Sequence, residues 1–180
     1  IIHLIRLHSG KDKLNKKIAS NDLSIFSMPT DSRINAGYFI TGEGYKAVNT
    51  PIIEKGFLKT HLLSRYGSKK TGGKHVLNSG GSYIVTPGDK SLAEMISEVD
   101  SGILLSRFSG GNPSDNGDFS GVAKNSYFIE NGKIKHPIIE TMVSGNIDKM
   151  INNISAISSN TIDFGTDVLP WICFDGITIS

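Results

Sequence analysis

Alternation of apolar and polar residues is clearest between residues 126 and 139. Two apolar-rich runs, 126–130 and 133–139, flank Asn131-Gly132, the dipeptide that fits both left-handed positions of a type I′ turn. A two-residue loop sets Glu130 opposite Lys133 and Ile129 opposite Ile134, a charge pair beside an apolar pair. The stretch IEKGFLK (53–59) echoes IENGKIK (129–135) and predicts a second hairpin around Lys55-Gly56. The echo fits either an internal duplication or the reuse of one turn chemistry.

Helical periodicity appears three times. Leu92, Met95, Ile96 and Val99 form a stripe across 91–100, with Ser91 and Glu94 spaced as a capping box and Gly102 ending the helix. Ile147, Met150, Ile151 and Ile154 form a second stripe behind Asn146 as N-cap. Leu62, Leu63 and Tyr66 predict a short helix over 60–66 that stops at Gly67. Residues 82–86 read as a strand, 103–107 as a buried strand, and 168–179 as closing strands turned at Asp175-Gly176. Hairpins, short strands and two or three packed helices, without βαβ alternation, predict an α+β fold with mostly antiparallel sheet. The length of 180 residues suits a single domain over 1–180. Residues 109–121, rich in Gly, Ser, Asn and Asp, read as a long polar loop. Such a loop inside a domain is usually functional or disordered.

Composition narrows the function classes. Apolar content of 38% and charged content of 20% describe an ordinary globular chain, and no apolar run approaches a membrane span. A formal charge of +2 is too small to argue for nucleic acid. The densest basic run, Lys11, Lys13, Lys16 and Lys17, reads as a solvated face. The single Cys173 excludes an internal disulfide and fits a reducing cytoplasm. The glycines of 67–81 lack the spacing of a phosphate-binding loop.

A hydrolytic zinc site needs three protein ligands and an open position for water. Of the five histidines, His61 and His75 read as surface or satisfied side chains. His136, counted by twos along the hairpin, shares a face with Tyr127 and Ile129 and is the best lone candidate for binding. Partial burial at a sheet margin accounts for it equally well.

Four segments stand in a telling order: SGGSYIVTPGDKSLAEMI (79–96), GGNPSDNGDFS (110–120), YFIENGKIKHPI (127–138) and GNIDKMINNI (145–154). From about Asp12 to its end the chain resembles the C-terminal domain of the TldD/PmbA family, the modulators of DNA gyrase related to zinc metallopeptidases. The resemblance implies a cytoplasmic bacterial protein in an oligomeric proteolytic complex acting on unfolded or extended peptides. Active members carry His-Glu-x-x-x-His and a later cysteine as third ligand. Here His3 and His8 keep the spacing, but Leu4 replaces the glutamate and Phe164 stands at the expected cysteine, while Cys173 falls in the closing strand. The expected role is therefore the TldE/PmbA-like partner without its own zinc, with any zinc held by a partner chain. Partners expected are a TldD-like subunit or a second copy, and a peptide, with no membrane or nucleic acid. The family's N-terminal domain is expected to lie outside this chain. Ser109, Gly110, Gly111, Asn112, Asp118 and His136 are the candidate residues of a peptide cleft. The alternatives are an active zinc metallopeptidase, using His3 and His8 or residues beyond Ile1, and a stand-alone binding module with no proteolytic role.

Overall fold

Residues 13–180 are described by the computed structural model and carry thirteen strands and three helices. The chain divides into two units, residues 13–88 with Asn160–Trp171, and Asp89–Ser159 with Ile172–Ser180.

In the first unit, β1 (Ile25–Ser27) pairs antiparallel with β2 (Thr50–Glu54) on one side and β4 (Tyr83–Val85) on the other. β2 turns into β3 (Phe57–Leu58) through Lys55 and Gly56, whose φ values of 49° and 79° give the left-handed pair expected of the KG turn. Ile53 faces Leu58 across this hairpin, and both are fully buried. Each removes roughly 1.5–3 kcal/mol worth of apolar surface from water. β11 (Ile154–Asp163) and β12 (Val168–Phe174), of which residues 160–163 and 168–171 lie in this unit, complete the six-stranded order β11-β12-β4-β1-β2-β3, with Val168 paired parallel to Ile84. Ile34, Ile84 and Val168 form a core cluster with Met28 packed against it. Beside it, Asn78 is a buried polar post. Its carbonyl oxygen meets Ser27 Oγ (2.9 Å), Tyr38 Oη (3.0 Å) and the Gly80 amide (2.8 Å), and its amide donates to the Ser27 and Val48 carbonyls.

The short helix differs from expectation. α1 spans Arg65–Thr71, not 60–66. Ser64 caps it by accepting from the Gly67 amide, and Gly72, at φ 73°, closes it. Cap chemistry outweighed the Leu62, Leu63, Tyr66 pattern, so Gly67 lies inside the helix rather than beyond it.

The second unit opens with α2 (Leu92–Ser97), where Ser91 and Glu94 form the predicted capping box. Hydrogen bonds from the Ser91 hydroxyl and then its backbone N–H hold the Glu94 carboxyl below its ordinary range. The helix stops at Ser97, so Val99 lies outside it, and Gly102 pairs with Ile129 instead of ending the helix. β5 (Ser101–Leu104) and β6 (Arg107–Gly110) replace the single buried strand expected over 103–107, and β6 is exposed throughout. β7 (Asp118–Lys124), β8 (Ser126–Glu130), β9 (Lys133–Ile138) and β10 (Thr141–Asn146) follow. α3 (Ile147–Asn152) is capped by Asn146 as read from the sequence, and β13 (Thr178–Ile179) ends the chain. Two antiparallel sheets result, β13-β10-β7-β6 and β5-β8-β9. Ala123, Ile129, Val143, Ile147 and Ile151 are buried in this unit. The architecture is α+β with mostly antiparallel sheet.

The central hairpin keeps its predicted register, Glu130 with Lys133 and Ile129 with Ile134. Glu130 pairs in charge not with Lys133 but diagonally with Lys135, at 3.6 Å. The Gly132 position, at φ 71°, abuts Ser97, where an added Cβ would lie 2.6 Å from the Ser97 carbonyl oxygen. Only glycine satisfies both demands.

Candidate functional site

The polar loop is shorter than its composition suggests. Ser109 and Gly110 belong to β6 and Asp118 to β7, which leaves 111–117 as the connection. The two strands carry the same tripeptide, Phe-Ser-Gly, at 108–110 and 119–121. Gly110 and Gly121 face each other in the ladder. An added Cβ on either would fall within 2.7 Å of the Phe108 ring. The ring therefore lies across both glycines and meets Phe119 edge-on at 5.8 Å, giving this glycine-rich stretch the packing its own side chains lack.

Side-chain amides close the loop. The Ser114 amide donates to the Asp118 carbonyl (2.8 Å) and the Gly117 amide to the Ser114 carbonyl (2.9 Å). Asn116 Nδ2 donates to Asp118 Oδ2 (2.7 Å), and Asn146 Nδ2 to Asp118 Oδ1 (2.9 Å) and the Asn116 carbonyl (2.9 Å). Both carboxylate oxygens of Asp118 are thus engaged. Asn146 works in two directions, since its Oδ1 accepts from the Lys149 amide while the Ile147 amide donates to the Gly117 carbonyl (2.9 Å). The helix cap and the loop form one hydrogen-bonded unit.

Ser109, Gly110, Gly111 and Asn112 follow one another along the exposed strand and loop, while Asp118 opens β7 and is bonded to Ser114 further along the loop. His136 is not brought to them. It is exposed on β9, in the three-stranded sheet, with its ring stacked on Phe128 at 5.5 Å and Nδ1 3.1 Å from the Pro137 carbonyl oxygen. The expected sharing of a face with Tyr127 and Ile129 fails. An irregularity between Tyr127 and Ile129 shifts the pairing by one residue, and one residue is enough to change the face. Counting by twos could not detect it. Phe108, Gly121, Asn116 and Asn146 were not recognised as parts of the site, although the repeated Phe-Ser-Gly was visible.

Of the zinc-motif positions, His3, Leu4 and His8 lie outside the described residues. Phe164 stands exposed in the turn between β11 and β12, its amide bonded to the Asp167 carbonyl (2.9 Å). Cys173 is a half-buried free thiol in β12. His75 is bonded to Glu43 (2.9 Å). Among the described residues no three His, Cys, Asp or Glu side chains gather as a ligand set. These described side chains do not fit a zinc ion.

The sequence profile of the PmbA/TldA metallopeptidase C-terminal domain matches residues 6–180. The chain belongs to the PmbA/TldD family. It is 33% identical over 171 residues to a PmbA metalloprotease homologue of Buchnera aphidicola subsp. Acyrthosiphon pisum, covering 91% of this chain and 38% of that protein. A TldD zinc metalloprotease homologue of Saccharolobus solfataricus is 30% identical over 164 residues, covering 84% and 36%. The structure of a candidate modulator of DNA gyrase from Bacteroides thetaiotaomicron superposes with a TM-score of 0.85 at 30% identity, over 98% of this chain and 41% of that one. The chain thus spans little more than a third of the length of the curated relatives it matches. Its similarity extends to both the PmbA and the TldD side of the family. No helix among the described residues is long and apolar enough to cross a membrane.

Proposed function

We propose that this PmbA/TldD-family chain is the PmbA/TldE-like subunit of a cytoplasmic proteolytic complex. It shapes a cleft for unfolded or extended peptides, while a TldD-like partner holds the zinc. The observation that carries the reading is β6. All four of its residues are exposed and, among the described residues, only β7 pairs with it. In an antiparallel edge strand, alternate residues turn their N–H and C=O groups outward. Those groups would accept an extended peptide as an added strand without selecting its side chains. The Ser114–Asp118–Asn146 network fixes the rim beside it. Bound to the partner, zinc would supply a water acidic enough to attack a peptide carbonyl. This chain's task is to hold the peptide backbone straight.

The test is elemental analysis of the protein alone and co-expressed with a TldD-like partner, together with peptide cleavage by each preparation. The expected result is no zinc alone, one zinc per complex, and cleavage by the complex only. Peptides N-methylated at alternate residues should lose cleavage, since methylation removes the donors of an added strand. A competing reading, an active zinc metallopeptidase, draws on the likeness to the TldD homologue. Stoichiometric zinc and chelator-sensitive cleavage by the protein alone would establish it and end the partner reading. A stable monomer that ignores the TldD-like chain would favour the stand-alone binding module.

A further inference from the structure

The small net charge of the chain conceals a division. Residues 13–88 and 160–171 carry eleven Lys and Arg against six Asp and Glu, a balance of +5. Residues 89–159 and 172–180 carry six against ten, a balance of −4. Within the basic unit the excess is concentrated at one end of the sheet. Residues 15–19 run beside β3: the Asn15 amide donates to the Leu58 carbonyl (2.7 Å), the Leu58 amide to the Lys16 carbonyl (3.0 Å), and the Ile18 amide to the Gly56 carbonyl (2.8 Å). Lys17 bridges to Phe57. This pairing sets Lys13, Lys16 and Lys17 alongside Lys55 and Lys59. The Lys59 ammonium sits 5.9 Å from the centroid of the half-exposed Phe57 ring. None of the five lysines has an ion pair among the described residues. The nearby carboxylate, Glu54, lies across the ladder from Phe57.

Lysines often guard an open sheet edge. Here the backbone of 15–19 covers the outer edge of β3, so Lys55 and Lys59 have no open edge to guard. Five lysines without an ion pair among the described residues, gathered at one end of the sheet beside the Phe57 ring that Lys59 approaches, form a field that attracts anions.

We propose that this lysine strip is a docking surface for an acidic polypeptide segment. Two observations favour carboxylates over a nucleic acid. The strip holds no arginine, the residue whose planar fork matches phosphate. It presents one aromatic ring rather than the series on which successive bases stack. The inference goes beyond the cleft reading and does not depend on it, because the strip and β6 belong to different units.

The experiment is fluorescence anisotropy on the full chain with a short labelled peptide alternating Glu and Ala, its Gln-for-Glu counterpart, and a short oligothymidylate. Changing Lys16, Lys17, Lys55 and Lys59 to Gln together should weaken the acidic peptide about tenfold, from four exposed pairings worth a few tenths of a kcal/mol each. Added salt should weaken wild-type binding in the same direction. The same four positions changed to Arg should keep the binding, which separates lost charge from lost fold. Equal binding of the Glu and Gln peptides, or of wild type and the Gln variant, would overturn the proposal. So would tighter binding of oligothymidylate, which would assign the strip to nucleic acid.

Discussion

The two hairpins begin from nearly the same words and end in different surroundings. IEKGFLK and IENGKIK turn through left-handed pairs at φ 49° and 79° and at φ 49° and 71°. Both pair the Glu with the first residue after Gly, and the Ile with the second. The local plan is shared. Yet Leu58 is fully buried, while Ile134, its counterpart in register, is 48% exposed. The difference lies outside the hairpins. β3 is flanked by residues 15–19, whereas β9 is, among the described residues, the edge of its sheet and carries Pro137, which offers no N–H to a further strand. Turn chemistry therefore decides that a hairpin forms, and distant chain decides what it buries.

The comparison is broken most severely at those counterpart positions. Leu58→Ala should cost about 2–5 kcal/mol in denaturant unfolding, and Ile134→Ala less than about 1 kcal/mol, since only the first leaves a cavity. Equal losses would mean that β9 is covered in solution. Next come the turn glycines. Gly56→Ala and Gly132→Ala should each lower stability by about 1–3 kcal/mol, because both combine positive φ with a Cβ pressed on a carbonyl oxygen. Hydrogen exchange would assign the loosening to residues 18–20 in one case and to the end of α2 in the other.

A smaller effect tests whether the turns are interchangeable. Lys55→Asn should stabilise by about 0.5 kcal/mol and Asn131→Lys destabilise by a similar amount, because Asn accepts the left-handed region more readily. Thermal melts at matched ionic strength would resolve the opposite signs. The smallest effect is acid-dependent and confined to the second hairpin, whose turn rests against α2. The Glu94 carboxyl is held low in the fold, so its support of the helix is complete above the unfolded carboxylate value of about 4.3 and fades as pH falls through the lower folded value. Glu94→Gln should flatten this acid sensitivity in the exchange of 92–99 and leave the first hairpin unchanged.

These contrasts mark what the sequence made legible. The turns, their register, the Ser91 capping box and the Asn146 cap rest on chemistry within a few residues, and each was readable. The extent of β6 and β7 was not, because Gly, Ser and Asp disguise a strand whose packing comes from Phe108. The face of His136 was lost to a single irregularity. The start of α1 went to Ser64 rather than to the apolar pattern. Candidate residues in the loop could be named from composition, but the amides that hold it needed the fold.

The loop between β6 and β7 carries one further consequence. A segment bordering a cleft for unfolded chains is exposed to being treated as substrate itself, since a peptidase requires local backbone extension. Residues 114–118 cannot extend without releasing Asp118 from Asn116 and Asn146. On the proposed reading, the amides that hold this loop would also shield it from cleavage by the complex it serves.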